Sequence, residues 1–209
     1  MAIKILTEPT TEDLRGKSHW WGTPDLPKGV AWPCRAGNDD EDEGEALLTF
    51  ICQIRLEEVA HLDTEGLLPR SGMLWFFADI DYFCGDEDAM VECIGDWDKE
   101  SFKVIYSPNC NELCTHEAYW EDGSPAVLAA EKMTFAPTDD GDFGLKLLGR
   151  PAMTEGYEDE ADDISLLQVD EEERWNLRFY DCGLINFTMK PHALARHDFD
   201  DVKFTLHSY

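Results

Sequence analysis

Apolar positions in this chain fall in short, nearly unbroken runs rather than at helical spacing. Ala46 to Ile54, Met73 to Ala78, Ser101 to Tyr106, Leu177 to Tyr180, Leu184 to Met189 and Val202 to His207 are such runs, enriched in β-branched and aromatic residues. Turn-forming residues bound many of them, so they predict strands. Helical signals are few. Pro9 to Arg15 carries hydroxyls and acids ahead of a basic residue, which predicts a short capped helix ended by Gly16. Arg55 to His61 places Leu56, Val59 and Ala60 on one side of two turns, and Pro191 to Arg196 starts on a helix-compatible proline. With no alternation of strand and long helix, the pattern predicts a mainly β, antiparallel fold with minor helices.

The runs also repeat. Gly22-Thr23-Pro24, Ile51-Cys52-Gln53-Ile54, Gly72-Met73-Leu74-Trp75-Phe76 and Phe102 to Ser107 occur in one order. Gly149-Arg150-Pro151, Leu166-Leu167-Gln168-Val169, Gly183 to Phe187 and Val202 to His207 follow in the same order. This predicts one domain of two pseudo-twofold halves, 17–107 and 145–209, joined by an irregular connector, 108–144. Within that connector, Ala118 to Trp120 and Lys132 to Phe135 read as candidate strands, and Pro125 to Glu131 as a helical turn. Trp20 to Pro33 is rich in proline and tryptophan, hence extended. Asn38 to Glu45 and Gly156 to Asp163 read as acidic loops.

The succession Gly22-Thr23-Pro24-Asp25-Leu26-Pro27, Trp32-Pro33, Phe50 to Ile54 and Leu68 to Phe77 resembles the YwqG-like, or DUF1963, family of bacterial proteins of unknown function. Leu148 to Pro151, Leu166 to Val169, Asp181 to Phe187 and Asp198 to Val202 resemble that family's C-terminal half. The resemblance spans about residues 17 to 207 and implies a β roll-like fold with no activity to carry over. Some relatives stand in the setting of toxin–immunity systems. Two departures stand out: Trp21 where the family usually has glycine, and Met153-Thr154-Glu155 after the second Gly-x-Pro.

Charge narrows the partners. Seventeen basic against forty-five acidic residues give a formal charge of -28, far past the magnitude of about 2–8 that solubility needs. Such a field repels nucleic acid and anionic membranes and attracts basic proteins, although an acidic surface can also be generic. No apolar run approaches the roughly 18 residues of a membrane span, and no signal-peptide pattern opens the chain, so a cytoplasmic location is expected. Seven cysteines at irregular spacing read as reduced thiols.

Candidate chemistry is sparse. Gln53 and Gln168 are matched amides inside apolar strands: either a polar ligand pocket between the halves, or structural ties to the Gly-x-Pro loops. The structural reading weighs more, because buried amides normally serve hydrogen-bond satisfaction. Cys110, Cys114 and His116 form a metal-like cluster one ligand short of a zinc site, so no metal is favoured and no cofactor is expected. Asp139-Asp140-Gly141-Asp142 and Asp79-Ile80-Asp81 lack the ligand ladder of a calcium loop. Trp20, Trp21 and Trp32 are candidates for an aromatic partner surface. No nucleophile elbow or phosphate-binding loop is present. The expected function is an interaction module for a basic partner protein, with an immunity-type factor as one form of it. The alternative is an enzyme or small-ligand protein using the cleft between the halves, and a third reading is DNA mimicry.

Overall fold

The computed structural model describes residues 1–35, 46–91, 93–119, 123–152 and 162–208. Its strands, in chain order, are β1 (Ala2–Pro9), β2 (His19–Trp20), β3 (Asp25–Pro27), β4 (Cys34–Arg35), β5 (Ala46–Leu47), β6 (Thr49–Arg55), β7 (Met73–Ala78), β8 (Gly95–Asp96), β9 (Phe102–Ser107), β10 (Leu113–Thr115), β11 (Glu131–Thr138), β12 (Lys146–Leu147), β13 (Ile164–Asp170), β14 (Leu184–Met189) and β15 (Lys203–His207). Two one-turn helices, α1 (Leu56–Val59) and α2 (Pro191–Leu194), follow β6 and β14. The fold is mainly β, as the apolar runs predict.

Eleven strands form one antiparallel sheet in the order β8-β15-β14-β13-β12-β1-β11-β2-β6-β7-β9. Apart from the added edge strand β8, that order is a palindrome about the β1/β11 pair. The register repeats as well. Cys52, Gln53 and Ile54 face Phe76, Trp75 and Leu74, while Leu167, Gln168 and Val169 face Phe187, Asn186 and Ile185. Each of β6 and β13 shifts register once, between Phe50 and Cys52 and between Ser165 and Leu167. A bulge conserves its place only where the same bend is needed twice. On the other side His19 faces Gln53 as Lys146 faces Gln168.

The repeating unit is longer than the sequence predicts. β1 pairs along its whole length with β11, from Ala2 opposite Thr138 to Pro9 opposite Glu131. Each begins its own half. β11 therefore lies inside the segment read as an unpartnered connector. Two glycines mark the symmetry. Gly22 and Gly149 have φ of 80° and 85°, and a Cβ on them would stand 2.7 Å from the Ala130 Cβ and 2.6 Å from the Ala2 Cβ. Each Gly-x-Pro loop thus crosses directly over the start of a central strand, which no residue but glycine permits.

The sheet curls. β7 and β14 are far apart in strand order, yet the rings of Phe76 and Phe187 meet at 5.3 Å, and Phe102 stacks on Phe204 at 5.3 Å. The inner face is a continuous apolar core contributed by both halves, including Trp20, Phe76, Trp175, Phe187 and Phe204. At roughly 1.5–3 kcal/mol per buried large apolar side chain, that shared face is the main source of cohesion. The space between the halves is packed, not open. A second cluster, with Leu26, Phe50, Met73, Trp75 and Phe77, covers the outer face of β6 and β7. β7 is buried on both sides, which is why it reads as an unbroken apolar run.

Several local expectations shift. Residues 10–14 are irregular after β1 rather than helical, with a turn only at Arg15 and Gly16, and residues 126–130 are irregular ahead of β11. Leu177 to Tyr180 is not a strand: Leu177 makes a single bridge to Glu172, and the Phe179 N–H is taken by the Glu171 carboxylate at 2.9 Å. Residues 38–45, 153–155, 156–161 and Trp120 lie outside the described residues.

Candidate functional site

The two matched glutamines are committed to hydrogen bonds within the fold, most of them to backbone. The Gln53 amide donates to the Lys17 carbonyl at 2.9 Å and to Asp25 Oδ2 at 3.0 Å, and its oxygen accepts from the Asp25 N–H at 2.9 Å and the Trp75 indole at 3.2 Å. The Gln168 amide donates to the Gly144 and Asp142 carbonyls at 3.0 and 3.1 Å and accepts from the Ala152 N–H at 2.9 Å. Each fastens a Gly-x-Pro loop to the strand beneath it. They do not meet in a common pocket.

The tryptophan trio separates. Trp20 and Trp21 are 0% and 1% exposed, which corrects their assignment to a partner surface. Trp20 stacks on Trp175 at 5.5 Å, and large apolar rings at the start of a buried strand belong to the core. Trp32 is half-buried and packs against Phe50 and Phe77. Trp21 and Trp32 nonetheless share a role, because both form walls of a cavity.

That cavity, about 570 Å³, opens on the outer face of the first half, where the N-terminal end of β6 meets residues 118–119 and 125–128. Its aromatic and aliphatic walls are Trp21, Trp32, Phe50, Leu48, Tyr119 and Leu128, and one end is polar, with Thr49, Asp81, Cys84 and Asp86. Trp21 adopts φ 52°, in the left-handed region that ordinarily favours glycine. Here the ring is turned into the wall instead. Its indole N–H has no hydrogen-bond partner.

Asp81 gives the polar end its character. Burial raises its carboxyl above the ordinary carboxylate value, the hydrogen bond donated by the Thr49 hydroxyl opposes that rise, and the neighbouring Asp86 charge adds to it. Burial, reinforced by Asp81, pushes the Cys84 thiol up to about 12, so it is a neutral wall group and no nucleophile. Arg35 pairs with Asp79 at 2.8 Å. Among the described residues Asp81 and Asp86 hold no such cation. The arrangement can take an apolar group into the aromatic walls while a positive charge meets the carboxylates.

Cys110, Cys114 and His116 are not brought together as a metal centre. Cys110 packs under the outer apolar cluster, whereas Cys114 is exposed on β10. Among the described residues no group of three His, Cys, Asp or Glu is arranged to hold a metal ion. In the 139–142 segment the Asp142 carboxylate is occupied by the Thr138 hydroxyl and the Asp139 N–H. Among the described residues Cys52, Cys84, Cys93, Cys110, Cys114 and Cys182 are free thiols. No helix among the described residues is long and apolar enough to cross a membrane.

The DUF1963 family model, described as a domain of unknown function, matches residues 18–139 and 120–207. The chain belongs to this family. Two overlapping matches over one chain accord with the palindromic sheet, since the second begins shortly before β11. No curated protein matches the chain. Within this member, Thr49, Tyr119 and Leu128 are site residues that sequence reading passes over, and Asp81 is weighed there only as an oxygen donor for calcium.

Proposed function

We propose that the protein is an interaction module for a basic partner, which it holds by drawing one side chain with an apolar stem and a positive tip into the aromatic cavity. A lysine or arginine at the tip of a partner loop has this form: its methylene stem lies along Trp32 and Leu128, and its cation meets Asp81 and Asp86. The observation that carries the reading is a half-buried carboxylate, unpaired with any cation among the described residues, at the end of an aromatic cavity, in a chain of net charge -28. The bulk charge speeds encounter and fixes orientation, while the cavity supplies the desolvated contact that slows release. An immunity factor holding a basic toxin is one partnership of this kind.

Tryptophan fluorescence tests this directly, because two cavity walls are indoles. Amidated peptides built of lysine and leucine, lysine alone, and glutamate and leucine are titrated at low and raised salt. The reading predicts a saturable response to the lysine–leucine peptide only, weakened by salt and reduced about tenfold in Asp81→Asn/Asp86→Asn. Equal responses to the lysine–leucine and glutamate–leucine peptides would refute it.

A further inference from the structure

Trp32, a wall of the aromatic cavity, is held by its own indole N–H, which donates to the Leu48 carbonyl at 2.8 Å. Its ring stands at 77° to Phe50 with centroids 6.5 Å apart, so the two make a corner rather than a stack. Tyr119, 57% exposed, adds a further aromatic wall. A cation set against such rings is drawn by their quadrupoles without having to donate a hydrogen bond.

Hydrogen-bond acceptors beside those rings are already engaged. Among the lining carbonyls, Leu48 accepts from Trp32, Leu128 from the Gly22 N–H at 3.0 Å and Ala118 from the Ala126 N–H at 2.8 Å. Asp81 gives one oxygen to the Thr49 hydroxyl, and Asp86 accepts from the Asp88 N–H at 3.1 Å. Elsewhere the fold surrounds a primary ammonium differently. Lys146 donates to three backbone carbonyls. The Met1 ammonium meets Asp140 at 2.6 Å and Glu65 at 3.6 Å, in a pocket with no aromatic wall among the described residues.

A primary ammonium in the aromatic corner would lose its hydration and leave N–H groups short of acceptors, and a guanidinium, with five N–H, is served less well still. A fully methylated ammonium has no N–H to satisfy. Its methyl groups pack against ring faces, while the carboxylates supply countercharge at longer range. The volume of about 570 Å³ lies within the roughly 300–1,000 Å³ of small-molecule sites. We propose that the cavity binds a quaternary ammonium group, with Trp32 and Tyr119 as its ring contacts and Asp81 and Asp86 as its countercharges. The assignment rests on the cavity's role as a cation site and narrows it: the positive tip is methylated. Choline and the side chain of trimethyllysine both carry this head on an apolar stem. A phosphocholine headgroup is disfavoured, because the same carboxylates repel its phosphate.

The test titrates the full chain, by calorimetry and indole fluorescence, with choline, ethanolamine as its unmethylated counterpart, and dimethylbutanol as its uncharged isostere, in which carbon replaces nitrogen. The lysine–leucine peptide is compared in plain and Nε-trimethylated forms. The expected result is that choline, the trimethylated peptide or both bind at least tenfold more tightly than the unmethylated counterpart, with dimethylbutanol at least tenfold weaker than whichever methylated cation binds. Choline binding assigns a free ligand, and a preference confined to the peptides assigns a partner's methylated lysine. Trp32→Leu should weaken the methylated ligand about tenfold and Tyr119→Leu, at an exposed position, about threefold. Equal binding of methylated and unmethylated forms overturns the proposal and leaves the basic-partner reading standing, as does a response to the plain peptide alone. Dimethylbutanol binding as tightly as choline defeats both, since shape alone would then decide. Methylated-ligand binding unchanged in both variants overturns the assignment to these rings.

Discussion

Gln53 and Gln168 occupy one position in two halves of the sheet: the amide of the first donates to the Lys17 carbonyl and that of the second to the Gly144 carbonyl, while their oxygens accept from the Asp25 and Ala152 N–H groups. Each removes a buried backbone donor and acceptor from need of water, and each does so for the same loop. Gln168→Leu is expected to cost about 1–3 kcal/mol in urea unfolding. Gln53→Leu should lie at the upper end of that range, because the Trp75 indole loses its acceptor as well. A neutral result at either position would remove the amide from the fold's supports.

Gly22 and Ala130 make a second paired test. Gly22→Ala combines overpacking against Ala130 with left-handed strain and should cost about 2–4 kcal/mol. Adding Ala130→Gly relieves the clash but not the strain, so the double-mutant cycle should return a coupling of about 1–2 kcal/mol. Gly149 with Ala2 should behave alike, since their Cβ approach is 2.6 Å against 2.7 Å. Coupling at one pair and none at the other would break the equivalence of the halves.

Asp81 predicts a pH dependence. Its folded value is raised above the ordinary 3.8, chiefly by burial, so protonation favours the folded state. That contribution is complete below the ordinary value and disappears as pH rises through the folded one. Asp81→Asn should therefore melt above wild type at neutral pH, with the difference closing in acid. Cation binding runs the other way and is lost as pH falls through the raised value. Thermal melts and peptide titrations across the acid range check both signs.

Lys146 gives a second window. Buried at 1% exposure, its ammonium donates to the carbonyls of Asp140, Asp142 and Arg150 at 2.6, 3.0 and 2.8 Å. Burial still lowers it to about 8 from the ordinary 10.5, with Asp140 and Asp142 opposing. Between those values the unfolded chain binds the proton more tightly, so stability should rise with pH across that interval. Comparison with Lys146→Met isolates the slope. An identical pH profile in wild type and variant would contradict the assignment.

How much of this was legible in the sequence depended on burial. β7 announces itself because both faces are covered by apolar clusters, leaving a run without alternation, whereas β14 shows through its alternation of Ile185, Phe187 and Met189 with Asn186 and Thr188. β1 was obscured: Ile3 and Ile5 alternate with Lys4 and Leu6 on a strand whose partner, β11, lies more than a hundred residues on, and the following hydroxyls and acids mimic a helix cap. Leu177 to Tyr180 has strand composition, yet Asn176 and Tyr180 take positive φ and break any ladder. The glutamine pair was visible as matched amides, whereas Trp20 and Trp32, alike in sequence context, part by burial alone. The cavity was out of reach because its walls come from segments far apart in the chain, and no local spacing brings Leu48, Asp81 and Leu128 together.

The central claim, that the cavity holds a cation on an apolar stem, meets its most direct test in the indole N–H region of a ¹⁵N-correlated NMR spectrum. The chain has seven tryptophans, and Trp21 and Trp32 line the cavity while Trp20, Trp75 and Trp175 lie in packed cores. Adding the lysine–leucine peptide should shift the Trp21 and Trp32 signals and leave those three in place. Movement of Trp20, Trp75 or Trp175 with Trp21 and Trp32 unmoved would contradict the account.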